Sequence, residues 1–263
     1  MFLTRLKAIL WLHTLRLWRY KWSFLNMVLS HAAWIFLFIL GALLFVPGEY
    51  LDVAVKAAFW TIVAWNIISM FSSLIGGWMH FFISLGMVEE HILRGISPFK
   101  TVLGRVIPSF SIITASLLFI AAILNGVFKT NVLQVGDPLL LIFAFLLLVV
   151  EGLAYGLTIA AISMKTSIPH NMLEILNFVV IGLLMVPAHS LPEVIRVAYL
   201  CIPYVAPAHL SKIATSLDMP ILFGEALTIS IIEALTMSII ALYTIKSSEK
   251  WIKKNGVRAI GFW

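Results

Sequence analysis

Two carboxylates stand where a carboxylate is expensive. Glu151 sits in the stretch from Pro138 to Met164, and Glu233 in the stretch from Ala226 to Ile245; neither stretch holds another charged residue. If both are helices in lipid, an ionised carboxylate near the middle costs at least ~2.5 kcal/mol. Each must then face protein or a wet cavity, and a proton is one way to remove the charge. Two roles fit these residues: lining a transport path, or packing contacts satisfied by neighbours such as Ser230 and Thr236. His80 is a third path candidate, while His31, Asn66, Asn125 and Asn177 read as hydrogen-bond partners between helices. A charged cluster, Glu89-Glu90-x3-Arg94, runs into Ser97-Pro98. There is no His-Glu-x2-His for zinc and no Gly-x4-Gly-Lys-Ser/Thr for a nucleotide phosphate. The single Cys201 excludes an internal disulfide and a thiolate zinc site.

The elements that position these groups follow from composition. Of 263 residues 62% are hydrophobic and 11% charged, and mean hydropathy is +1.05. A soluble domain is about half apolar and a quarter charged, so lipid must be the solvent for most of this chain. Uncharged runs extend over 22–48, 57–88, 106–128, 138–150 and 175–192. Crossing the hydrocarbon takes about 20 apolar residues in a helix, and open strands would leave backbone groups unpaired. The runs lack the dyad alternation of a membrane barrel. The chain is therefore expected to be all-α, with six transmembrane helices near 24–46, 57–80, 106–128, 138–163, 172–190 and 223–245.

Fourteen of the 18 Lys and Arg fall on one side of that arrangement, in 1–21, 88–105, at Lys165 and from Lys246 onward; Lys56, Lys129, Arg196 and Lys212 fall on the other. This asymmetry predicts both termini in the cytoplasm. It also accounts for the net charge of +6 without nucleic acid. No cleavable signal peptide is expected, because the first run is too long and lacks a cleavage site. Residues 1–22 place Leu3, Leu6, Leu10, Leu17, Trp18 and Trp22 on one arc and Arg5, His13, Arg16 and Arg19 away from it, as in a helix lying in the inner interface. Lys7 and Lys21 lie near the apolar arc and would have to snorkel. The segment 188–222 is apolar and broken by Pro192, Pro203, Pro207 and Pro220, which suggests re-entrant half-helices on the outer side. Residues 246–263 read as a basic cytoplasmic tail. Small residues recur four apart at Ser69, Ser73 and Gly77 and at Gly152, Gly156 and Ala160, marking faces of close helix approach.

Two segments resemble the type 2 ABC-transporter permeases, six-span exporter subunits that pair with a separate ATPase. The first is Val88-Glu89-Glu90-His91-Ile92-Leu93-Arg94-Gly95-Ile96-Ser97-Pro98-Phe99-Lys100, leading to Leu103-Gly104-Arg105. That family carries a charged inner segment closing on Ser/Thr-Pro, then Gly and a basic residue. Glu89-Glu90 stands here in place of the family's usual Gly-Thr, and Pro98 to Gly104 is about one helical turn short. The second segment runs from Leu191-Pro192 through Glu193 to Ile202-Pro203, matching the family's Leu-Pro to Asn-Pro spacing with Ile202 in place of Asn. The resemblance implies one permease domain over 1–263. It makes 88–105 the coupling segment (Glu89, Glu90, Arg94, Ser97, Pro98) that docks on the ATPase, and 188–222 an outer gate (Leu191, Pro192, Pro203). It implies a dimer of permeases in the plasma membrane, in contact with lipid. The chain itself is then not an enzyme and binds no cofactor; ATP and magnesium sit on the partner ATPase.

The cargo expected is apolar or amphiphilic, a drug or a lipid. A glycan-lipid or cation exporter is the alternative within the family, and Glu151 and Glu233 fit cationic cargo. A non-transporting assembly scaffold is a second class of function. A third is a protease: Glu89-Glu90-x3-Arg94 is similar to the first motif of the membrane-embedded prenyl-protein proteases. Those also need Phe-x3-His, and none of His91, His170, His189 or His209 has Phe four residues before it.

Overall fold

The structure is a computed structural model describing residues 7, 11, 14–15, 18–71, 75–103, 106–166, 170–218, 220 and 222–256; the side chains of 107–109 and 170–174 are left out of the description. The described residues are helical, with no strand among them. In chain order the α-helices are α1 Lys21–Leu43, α2 Leu51–Phe71, α3 Gly77–Ser84, α4 Met87–Leu93, α5 Pro98–Leu103, α6 Val106–Phe128, α7 Pro138–Ser163, α8 His170–Met185, α9 Glu193–Leu200, α10 Val205–Ala214 and α11 Phe223–Asn255. Five of them, α1, α2, α6, α7 and α11, supply segments long and apolar enough to cross a membrane. The pair α9 and α10 passes the same test together but bends by 107°, as a broken span or a re-entrant loop does.

Local chemistry sets several boundaries. Asp137 caps α7, its carboxylate accepting from the N–H groups of Leu139 and Leu140, and Pro138 takes the first helical position. Gly86 (φ 69°) and Gly95 (φ 68°) lie in the left-handed region on either side of α4, where a side chain would strain the turn. α9 fits between Pro192, at its N-cap, and the turn holding Pro203.

Three boundaries differ from the sequence expectation. The helix expected over 57–80 begins at Leu51 and is described as far as Phe71 and again from Gly77; residues 72–74 lie outside the described residues. Lys56 and Asp52, which argued for a later start, lie within the first turns of α2. The helix expected over 172–190 ends at Met185, and a single 3-10 turn follows over Ala188–Ser190. Pro187 is the cause, since it disfavours helix in the residue before it and lacks an N–H. Finally, 246–263 is not a tail throughout. α11 is one helix of 33 residues, roughly 50 Å at 1.5 Å per residue, against a hydrocarbon core of about 30 Å. Its last turns must project beyond the apolar layer.

α7 is the centre of the bundle. It packs against α11, α10 and α2. Gly152 and Gly156 make the α2 contact possible: a Cβ on Gly152 would lie 2.9 Å from Phe71 Cδ2, and one on Gly156 would collide with the Phe71 carbonyl oxygen. This is the close approach read from the small-residue stripe in α7. Ser73 of the other stripe lies outside the described residues. Inter-helix hydrogen bonds join α1 to α2 (His31 Nε2 with Asn66 Oδ1, 2.9 Å) and α2 to α8 (Trp65 Nε1 donating to the Asn177 carbonyl, 3.0 Å). The interfacial-helix reading of 1–22 falls largely outside the described residues; of those described, Trp11, Trp18 and Trp22 are exposed.

Candidate functional site

Glu151 and Glu233, 82 residues apart in the chain, are brought together. α7 and α11 pack side by side, and the two carboxyls interact electrostatically. Glu151 is wholly buried. Neither of its oxygens has a hydrogen-bond partner, and Oε2 of Glu233 is likewise buried and unpartnered. The hydroxyl of Ser230, expected to satisfy Glu233, instead donates to the Ala226 carbonyl of its own helix, and Thr236 is exposed. This is ordinary for a helical Ser, whose nearest acceptor is the carbonyl four residues back.

The third side of the site comes from the turn between α9 and α10. Tyr204 N-caps α10 in a left-handed conformation (φ 73°), uncommon for a residue with a Cβ. Its backbone N–H is oriented toward the Glu151 carboxyl, although no donor closes on either oxygen with ordinary hydrogen-bond geometry. The Tyr204 ring packs edge-on against Tyr155, with centroids 5.9 Å apart. Its hydroxyl is buried and unpartnered. Tyr155 lies one turn beyond Glu151 on α7, so one helix supplies both the carboxylate and the ring that holds the turn. Neither Tyr155 nor Tyr204 stood out in the sequence. The available signal was Tyr155 four residues from Glu151, and a Tyr directly after Pro203 in a turn.

His80 does not join this group; it is exposed midway along α3. Leu191, Pro192 and Pro203 frame α9 rather than line the carboxyl pair.

A second polar cluster locks the base of the α9–α10 pair. Asp218 has a fully buried side chain. Its carboxylate accepts from His189 Nδ1 (2.6 Å), from His209 Nδ1 (3.2 Å) and from the Ala188 backbone N–H (3.3 Å). The truncated end of α8 is capped by side chains from the same pair. Lys212 Nζ donates to the carbonyls of Leu184 and Val186, and the Tyr199 hydroxyl lies 2.6 Å from the Leu183 carbonyl and 2.9 Å from that of Val186. These are helix-end carbonyls that would otherwise lack donors.

The segment 88–105 is two short helices, α4 and α5, at the opposite end of the bundle from Asp218. Val88, Pro98, Phe99 and Val102 are buried, whereas Glu89, Glu90 and Arg94 are exposed. Arg94 pairs with Glu90 one turn away. Leu93 and Ile96 are also exposed beside these charges, at 88% and 47%. Ser97 Oγ donates to Glu249 Oε1 (2.7 Å), tying the segment to the projecting end of α11. Glu249 was missed because the chain beyond Lys246 read as a tail. Ser248 and Ser247 extend the tie, bonding the Ala161 carbonyl (2.6 Å) and Lys165 Nζ (2.9 Å) at the end of α7. Gly104 and Arg105 lie outside the described residues. Among the described residues no group of three or more His, Cys, Asp or Glu is arranged to hold a metal ion.

No known protein family, curated protein or solved structure matches this chain.

Proposed function

We propose that this chain is the transmembrane permease subunit of an ATP-driven exporter of the type 2 ABC class, carrying apolar or amphiphilic cargo out of the cell. The observation that carries the reading is the form of 88–105. A pair of short helices buries Val88, Phe99 and Val102 inward and presents Glu89, Glu90, Leu93, Arg94 and Ile96 outward. An apolar tip ringed by charges suits docking on another protein. The Ser97–Glu249 bond and the Ser248–Ala161 bond link that surface to α11 and α7, the two helices that carry the glutamates. A push on the segment therefore has a rigid route to the middle of the bundle.

In this reading the chain has six spans. The short α8 is the fifth, and α9 with α10 form an outer re-entrant hairpin. Both termini are cytoplasmic, as the Lys and Arg asymmetry favours, residues 1–22 lie in the inner interface, and the protein sits in the plasma membrane. A second permease copy and two ATPase subunits complete the transporter, with ATP and magnesium bound by the ATPase.

The test is copurification of the tagged chain with an ATP-binding subunit, followed by cargo-stimulated ATP hydrolysis in proteoliposomes. Glu90→Ala and Arg94→Ala should lower stimulated hydrolysis several-fold and leave the bundle's melting temperature nearly unchanged, because an exposed i,i+4 pair contributes within ~0.5 kcal/mol. Labelling that places position 97 outside the cell overturns the reading.

A further inference from the structure

We propose that the projecting end of α11 is a binding stripe for anionic phospholipid headgroups, formed by Lys246, Lys250, Lys253 and Lys254. One face of α11 runs exposed from the apolar layer into the projecting end. Leu235, Ile239, Leu242 and Tyr243 are exposed along it, and the four lysines, also exposed, continue it. At 3.6 residues per turn the lysines fall within an arc of about 100°. The opposite face is taken by the bundle. Ser248 and Ile252 are buried there, and Ser248 Oγ donates to the Ala161 carbonyl (2.6 Å).

Helical rise sets the depth of this face. The run 226–245 spans roughly 30 Å, the thickness of the hydrocarbon core, and headgroups add about 5–8 Å on each side. Tyr243 then stands at the boundary, where phenols are enriched. Lys246 follows at the edge of the headgroup layer, with Lys250 about 6 Å and Lys254 about 12 Å further out. Long lysine stems can turn their ammonium groups back to the phosphates from there. Below the lysines the same face is apolar, so it suits a ligand with acyl chains rather than a soluble anion.

The nearby acids are held off the stripe. Glu249 is the one acid in 234–256, and its Oε1 accepts from Ser97 Oγ (2.7 Å), which turns it toward α5. Glu89 lies by the far end of α11: a Cβ on Gly256 would be 3.8 Å from its Oε1, about 15 Å beyond Lys246. Glu90 pairs with Arg94 on its own helix. Lys165 adds a fifth cation at the flank, its Nζ donating to Ser247 Oγ (2.9 Å). Cations at headgroup depth, uncompensated on their own arc, attract anionic lipid, and each lysine strengthens binding roughly fivefold. The inference needs α11 in a membrane but no ATPase, so its failure and that of the exporter reading are separable.

The test is native mass spectrometry of the full chain in neutral detergent, offered phosphatidylglycerol and phosphatidylcholine in equal amounts. The wild type should retain phosphatidylglycerol about tenfold or more over phosphatidylcholine. Changing all four lysines to Gln, which keeps good helix formers on an exposed face, should remove most of that preference. Should that variant fail to fold, Lys246→Gln with Lys250→Gln must lower the preference several-fold. Lys56→Gln with Lys129→Gln, at the opposite end of the bundle, should leave it unchanged. Molar salt should weaken retention of phosphatidylglycerol, whereas millimolar inorganic phosphate should not displace it. Equal retention of the two lipids by the wild type overturns the proposal. Displacement by millimolar phosphate overturns the lipid as ligand. An intact lipid preference in the lysine variants overturns it too, and if those variants also lose a copurifying ATPase, the stripe is a protein contact instead.

Discussion

The two polar clusters on either side of the α9–α10 pair are built on opposite terms. At its base, the Asp218 side chain is fully buried but accepts hydrogen bonds from His189, His209 and Ala188. At its tip, the oxygens of Glu151 accept none, and the Tyr204 hydroxyl is equally unpartnered. A satisfied buried network rigidifies and fixes one arrangement; an unsatisfied one is costly and persists where something is gained by it. The hairpin is thus anchored at its base by a satisfied network and carries unpartnered polar atoms at its tip. The base is therefore predicted to govern stability, and the tip to tolerate the loss of a polar group.

The largest effect should come from breaking the anchored end. Asp218→Ala removes the acceptor for two imidazoles and a backbone N–H, and should cost roughly 3 kcal/mol, read as a lower melting temperature in detergent. An unchanged melting temperature would dissolve the contrast between base and tip. Next, Gly156→Val intrudes on the Phe71 carbonyl one turn and a half beyond Glu151. Overpacking of this kind costs about 1–3 kcal/mol, and the same melting experiment should show it, with Gly182→Val as the control because nothing lies within 4 Å of a Cβ there. The smallest and sharpest comparison is between two phenols. Tyr199→Phe deletes a donor to the end of α8 and should cost about 1 kcal/mol. Tyr204→Phe deletes a hydroxyl that has no partner and should be neutral or slightly stabilising. Equal losses from both would show that the Tyr204 hydroxyl does find a partner.

Much of the frame was legible because lipid imposes a simple code. Apolar runs of spanning length became α1, α2, α6, α7 and α11, and α6 and α7 begin and end where the spans were expected. Punctuation was legible too: Pro192 and Pro203 bracket α9, and Asp137-Pro138 opens α7. The boundaries that escaped were those set by something other than hydropathy. Lys56 and Asp52 sit inside the first turns of α2, because a helix near the interface tolerates charge that a hydropathy reading takes as its end. α11 runs on through Lys246, Lys250 and Lys253 because good helix formers continue a helix into water once lipid has nucleated it.

The sequence by itself determined that this is a bundle of apolar helices with two carboxylates stranded in uncharged runs. It marked Gly152 and Gly156 as a place where backbones meet. It did not determine that Glu151 and Glu233 fall on neighbouring helices within electrostatic reach of each other, that the Tyr204 backbone points toward Glu151, or that Glu249 reaches back to Ser97. Those contacts depend on which face of α11 turns toward α7 and on how far a bent pair of short helices dips into the bundle. Neither quantity is periodic along the chain. Both are fixed by packing among α7, α10 and α11 at once, where a small residue on one helix decides how near another can come, and so which polar groups find themselves neighbours.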